Sequence, residues 1–222
     1  MESKYTVPVA ILLGGIIIAL AVYFAVARPP GTAGGGNLAL VRPVDKSDHI
    51  LGNPAAKVII VEYSDFDCTF CKGFDTTLHE VIANDGATGN VAWVFRHFPL
   101  IELHPDAMKL ADAAECAASA GGNDAFWKFA GLLFAAQPAD TAKLGEYAKA
   151  AGIPGDAFAT CYANAATTVE PYVQADRENA FAVGAQGTPY SLIVVAGQTS
   201  VIMDGAYSYD AVKALVDQAL GK

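Results

Sequence analysis

Residues 58–71 read Val58-Ile59-Ile60-Val61-Glu62-Tyr63-Ser64-Asp65-Phe66-Asp67-Cys68-Thr69-Phe70-Cys71. Val58–Val61 is a short, β-branched apolar run fenced upstream by Asn53-Pro54, the pattern of a buried strand. From Cys71 to Asn84 the apolar period changes. Phe74, Leu78, Val81 and Ile82 fall at i, i+4, i+7 and i+8, one face of a helix that Asp85-Gly86 stops. The Cys68-x-x-Cys71 pair therefore lies at a strand-to-helix junction. There the unsatisfied N–H groups of the first turn favour a thiolate, and a second cysteine three residues on can attack a mixed disulfide formed by the first. Two plainer readings compete. A zinc knuckle needs two further ligands, and Cys116 and Cys161 stand singly. An inert short-range disulfide capping the helix needs nothing more.

Working outward, Val91–Phe95 is a second strand, which completes a βαβ unit. From His104 to about Val183 the chain is alanine-rich with helical periodicity, broken at Gly121-Gly122, Gln137-Pro138 and Gly152-Ile153-Pro154. Ser191–Val195 and Val201–Asp204 read as a hairpin about Ala196-Gly197-Gln198, and Tyr209–Leu220 as a closing helix. Toward the amino terminus, Val7–Ala27 carries no charge and is long enough to cross a bilayer core of roughly 30 Å. Residues 1–28 are read as a membrane anchor, with a secretory signal ending at the small residues Ala25-Val26-Ala27 as the alternative; either exports the remainder of the chain. Residues 29–37, Pro- and Gly-rich, make a flexible tether, and residues 38–222 one domain. The formal charge of -9 argues against a nucleic-acid partner.

The segment 58–71 resembles the active-site segment of the DsbA-like branch of the thioredoxin superfamily. Arg96-His97-Phe98-Pro99-Leu100, His104-Pro105, Phe126-Trp127 and Gly187-Thr188-Pro189 follow in that family's order, so the likeness spans about residues 48–220. It implies an α/β thioredoxin fold with a helical insertion at about 103–183, here preceded by the transmembrane helix. It implies Cys68 as the exposed attacking cysteine, Cys71 as the buried resolving one, and Pro189 as a cis-proline facing the pair. Thr188 offers backbone groups to a bound peptide. Glu62 matches a buried acid that moves protons for the resolving cysteine, whereas read as a residue alone it is equally an ordinary strand-end carboxylate facing solvent. Thr69-Phe70 supplies no cation between the cysteines, and Asp65 and Asp67 disfavour a nearby anion. An oxidant of intermediate strength is expected.

With export and an even count of four, Cys116 and Cys161 are expected to form a structural disulfide joining two helices of the insertion; the alternative is two free buried thiols. His49, His79, His97 and His104 show no metal-ligand spacing, so no metal is expected, and Phe126, Trp127, Phe129 and Phe134 read as insertion core. The functional expectation is a membrane-tethered, single-pass, monomeric thiol-disulfide oxidoreductase with an extracytoplasmic catalytic domain. It needs no bound cofactor, gives its Cys68–Cys71 disulfide to exported proteins bearing thiols, and is reoxidised by a membrane redox partner. The rivals are a reductase or isomerase of the same fold, and a non-enzymatic module that binds peptides or copper.

Overall fold

A computed structural model describes residues 38–196 and 198–222, excepting the side chains of Leu38 and of residues 198–200. The expected anchor, residues 1–28, and tether, residues 29–37, lie outside the described residues. Among the described residues no helix is long and apolar enough to cross a membrane.

Five strands form one sheet: β1 His49–Gly52, β2 Val58–Ser64, β3 Val91–His97, β4 Tyr190–Val195 and β5 Gln198–Asp204, in the order β1-β3-β2-β4-β5. β2 runs parallel to β3 and antiparallel to β4, so it is central. That position explains why β2 reaches Ser64 rather than stopping at Val61. Paired on both edges, it buries Glu62, Tyr63 and Ser64 along with the apolar run. β3 likewise continues two residues past Phe95 to His97. β1, a four-residue edge strand antiparallel to β3, is not legible in the sequence, because His-Ile-Leu-Gly is too short to display alternation.

Among the described residues there are seven α-helices: α1 Thr69–Asn84, α2 Ala107–Ala136, α3 Leu144–Ala150, α4 Gly155–Ala163, α5 Ala165–Thr168, α6 Glu170–Ala182 and α7 Tyr209–Ala219. The insertion is thus α2 to α6. α2 is two helices meeting at Gly122, whose φ of 77° and ψ of -171° leave the helical region. Glycine adopts that conformation at little steric cost. The chain also turns at the cis Gln137–Pro138 bond.

Strand alternation divides the core. Val58 and Ile60 of β2 and Trp93 and Phe95 of β3 face α1, α2 and α7, meeting Phe74, Leu78, Phe126, Val212 and Val216. Val61, Tyr63, Val94 and Leu192 face the other way, toward Ala180 and Val183 at α6. Phe126, Trp127, Phe129 and Phe134 are all buried in the first of these cores. On the α6 side, buried Arg96 bonds both oxygens of Asp48 at 2.9 and 3.1 Å, and Arg42 joins Asp48 to Asp176.

A disulfide joins Cys116 of α2 to Cys161 of α4, closing a loop with a sequence separation of 45. Chain-entropy reasoning values such a closure at roughly 4 kcal/mol. The Cys116→Ala, Cys161→Ala double variant is expected to lose about that much stability in denaturant melts while keeping thiol-disulfide exchange. Loss of exchange in a still-folded variant would sink the structural assignment.

Candidate active site

The loop between β2 and α1 is held from three sides. Asp65, 2% exposed, accepts from the Asp67 N–H at 2.8 Å through Oδ1 and from the Leu100 N–H at 2.8 Å through Oδ2; its carbonyl accepts from the Cys68 N–H at 3.1 Å. Phe66 stacks on Phe95 at 5.0 Å and meets Phe134 at 5.1 Å, and its carbonyl accepts from Gln137 Nε2 at 2.9 Å. The insertion thereby pins the loop to the sheet.

Cys68 is the N-cap of α1, with extended backbone and no side-chain capping bond; the helix starts at Thr69, two residues earlier than its apolar periodicity indicates. Cys71 is then in the first turn, fully buried. Cys68, expected to be exposed, is only 5% accessible. The reason is the neighbouring chain: its Sγ donates to the Thr188 carbonyl at 3.4 Å, and the Thr188–Pro189 bond is cis. Between the cysteines Phe70 stands out in solvent, 69% exposed.

The two thiols are driven apart in acidity. The Cys71 thiol hydrogen bond to the Cys68 sulfur is the main cause that lowers the Cys68 pKa to about 6. Burial resists it, while Thr188 and the N–H groups of Cys71 and Phe70 assist. Burial, first, then that same hydrogen bond and the negative charges of Glu62 and Cys68 push Cys71 well above an ordinary thiol.

Expectation and structure differ on the surrounding charges. Asp65 does not oppose the thiolate bare, because His104 Nδ1 lies 2.8 Å from its Oδ2. Burial works against the His104 cation, but the bond to Asp65 and the fields of Asp65, Cys68 and Asp67 outweigh it and raise the His104 pKa. This basic partner comes from the loop after β3, and no spacing in the sequence joins residue 104 to residue 68. Glu62 does not face solvent: it is fully buried on the face of β2 that carries Val58 and Ile60. Trp93 Nε1 donates to its Oε2 at 3.0 Å, and its Oε1 is buried without a hydrogen-bond partner. Burial above all, with the charges of Asp75 and Cys68 adding, lifts the Glu62 pKa to about 8. Asp75, which sequence reasoning misses, is raised by burial to about 7, and His79 Nε2 lies 3.6 Å from its Oδ1. A signal for it exists, since Asp75 follows Cys71 by four residues and so shares its helix face.

Among sequence families, the one described as Thioredoxin matches residues 45–218. An antiporter-named protein of Mycolicibacterium gilvum, "Na(+)/H(+) antiporter NhaA 1", is 34% identical over 186 residues. The match takes in 80% of this chain and 29% of that protein, so the chain spans less than a third of this curated relative. Wolbachia pipientis alpha-DsbA1 superposes with a TM-score of 0.72 at 20% identity, covering 83% of this chain and 96% of that one. Oxidised BdbD from Bacillus subtilis gives 0.67 at 24% identity, covering 82% and 97%. Both carry the same fold, helical insertion included. The family match over most of the chain and the C-x-x-C turn opposite a cis-proline lead to one conclusion: the chain belongs to the thioredoxin family.

Proposed function

We propose that the protein is a membrane-tethered, extracytoplasmic thiol-disulfide oxidoreductase that donates the Cys68–Cys71 disulfide to thiols of exported proteins. The observation that carries this reading is the geometry of the pair, Cys68 at the N-cap of α1 with its Sγ against the Thr188 carbonyl beside the cis Thr188–Pro189 bond and Cys71 buried behind it. A substrate thiolate attacks Cys68 Sγ, the Cys68–Cys71 bond breaks, and Cys71 leaves and takes a proton that Glu62 supplies. A second substrate thiolate then attacks the substrate sulfur of the mixed disulfide. Cys68 departs as a stabilised thiolate, the substrate being oxidised by two electrons and the enzyme reduced by two. The substrate peptide lies along Thr188 and cis Pro189, replacing the Cys68 contact to the Thr188 carbonyl. Tethering rests on Val7–Ala27, and reoxidation falls to a membrane partner. Antiport is not part of the proposal, because the match covers a minor share of the named antiporter.

The direction of electron flow follows from linkage. A thiol lowered from 9.0 to about 6 stabilises the reduced fold as pH rises from about 6 toward 9, and that gain is lost as pH falls through about 6. At pH 7 that gain favours the reduced form and so moves the potential toward that of an oxidant. We expect a potential between about -270 and about -120 mV in glutathione equilibration of the full chain, and turnover of a dithiol peptide by its oxidised form. A potential at or below the lower bound makes the protein a reductase. Peptide binding without turnover makes it a binding module.

A further inference from the structure

Apart from the cysteine pair, three side chains from separate elements converge on one point. His49 Nε2 from β1 and His97 Nε2 from the end of β3 lie 2.6 and 2.7 Å from the same oxygen, Oε1 of Glu115 on α2. The three donor atoms stand within 4.8 Å of one another. The side chains are 7%, 1% and 10% exposed respectively, so the cluster is walled in yet reaches the surface at Glu115 and His49. Two neighbours fix its geometry. The Phe126 ring stacks on His49 at 3.5 Å and 8°, and Asp176 Oδ2 accepts from the His97 backbone N–H at 3.1 Å.

The charge around the cluster is unbalanced. The nearby acids Asp48 and Asp176 are paired with Arg42, and Asp48 also with Arg96. No arginine or lysine among the described residues pairs with Glu115 or with Asp112, one helical turn before it. Asp112 is 6% exposed, its Oδ1 is buried without a hydrogen-bond partner, and the charges of Glu170, His97 and Glu115 all act on it. A hydrogen-bonded His–Glu–His triad explains the two contacts to Glu115 and leaves Asp112 Oδ1 unpaired. Burying such an atom is costly unless something meets it.

We propose that His49, His97 and Glu115 bind a divalent transition-metal cation of the Zn2+ class, with Asp112 as the acidic partner that completes its charge balance. Two imidazole nitrogens and a carboxylate oxygen are a donor set that Zn2+ accepts and that hard cations such as Ca2+ and Mg2+ do not favour. Around Zn2+, with bonds of about 2.0–2.1 Å, tetrahedral donors stand about 3.3 Å apart, so the Nε2 and Oε1 atoms need open by only about 0.6 Å each way. Glu115 side-chain rotation on α2 supplies that. The ion would clamp the edge strand β1 and the end of β3 to the helical insertion, one residue from the Cys116 anchor of the disulfide. The role is structural, and it stands whether or not the cysteine pair is an oxidase.

The test uses the full chain with Cys68 and Cys71 oxidised, so that neither thiol can ligate. Titration with Zn2+ against a chromophoric chelator is expected to give one ion per chain and a raised melting temperature, with no such response to Mg2+ or Ca2+. Glu115→Gln, which keeps an acceptor oxygen, weakens Zn2+ binding at least about 100-fold, and Asp112→Asn about 10- to 100-fold. X-ray absorption of the zinc-loaded wild-type chain decides the matter even if a variant fails to fold. Two imidazoles and no sulfur in the first shell support the site. No stoichiometric binding, a sulfur-containing shell, or affinity unchanged in Glu115→Gln overturns it and leaves a hydrogen-bonded triad.

Discussion

Cys71→Ser protein is expected to accumulate as long-lived mixed disulfides through Cys68 and to have no oxidase turnover. The expectation rests on which sulfur sits where. Cys68 caps α1 and touches the Thr188 carbonyl, the backbone group proposed to meet the substrate peptide; Cys71 is fully buried behind it. In the wild type, a mixed disulfide that stalls is released by Cys71, an intramolecular nucleophile. Held nucleophiles reach effective molarities on the order of 10⁵ M, so millimolar external thiol replaces Cys71 at a rate lower by up to about 10⁸-fold. Serine keeps roughly the size and a hydroxyl that can still donate to the Cys68 sulfur, but it cannot expel a sulfur. Cys71→Ala, which removes the hydrogen bond that does most to lower the Cys68 pKa, is the variant whose Cys68 titration moves upward from about 6. Non-reducing gels after mixing with a disulfide-bonded substrate read the trap, and thiolate absorbance reads the titration. Should alkylation of reduced wild-type protein fall first on Cys71, the roles are reversed.

How far the sequence carries depends on whether a signal is local. Val58–Val61, the α1 face through Phe74, Leu78 and Val81, and the Cys68-x-x-Cys71 turn are periodic or contiguous, so one window contains each whole pattern. The breaks at Gly122, Gln137 and Gly152 are equally readable, since glycine and proline act through their own backbone. Glu62, Tyr63 and Ser64 are harder, because nothing in a carboxylate and a hydroxyl says that strands pair on both sides of them. β1 is defined by its partner β3 rather than by its own four residues. The electrostatics of the site escape a sequence reading for a related reason. Asp65 and Asp67 lie near Cys68 in the chain and can be counted, whereas His104, which bonds Asp65 at 2.8 Å, is separated from it by 39 positions. Likewise His49, His97 and Glu115 come from three elements that only the folded sheet brings together. Local patterns specify the scaffold; the charged partners that tune it are long-range.

Glu62→Gln is expected to move stability and activity in opposite directions. In the folded protein Glu62 is fully buried and titrates near 8, while in the unfolded chain it titrates near 4.5. Folding at neutral pH therefore requires taking up a proton, and stability falls as pH rises between those two values. At pH 7 the cost is up to about 3 kcal/mol, vanishing below a pH of about 4.5. Glutamine carries no such charge and still accepts from Trp93 Nε1, so the variant should be more stable by up to that amount at pH 7, with a flatter pH profile. Catalysis should suffer. Cys71, its own pKa raised, leaves the broken disulfide as a costly buried thiolate, and Glu62 is the buried acid whose charge it feels; Asp75, near 7, is the next acid from which Glu62 can be reloaded. Removing a positioned proton donor commonly slows a step by on the order of 10²-fold. A residue with a merely structural role cannot give both results, because losing it lowers stability and activity together. Denaturant melts from pH 4 to 8, paired with single-turnover oxidation of a dithiol peptide, separate the cases. A Gln variant that is destabilised at pH 7, or that turns over at the wild-type rate, removes Glu62 from the mechanism and leaves Cys71 to be protonated by water.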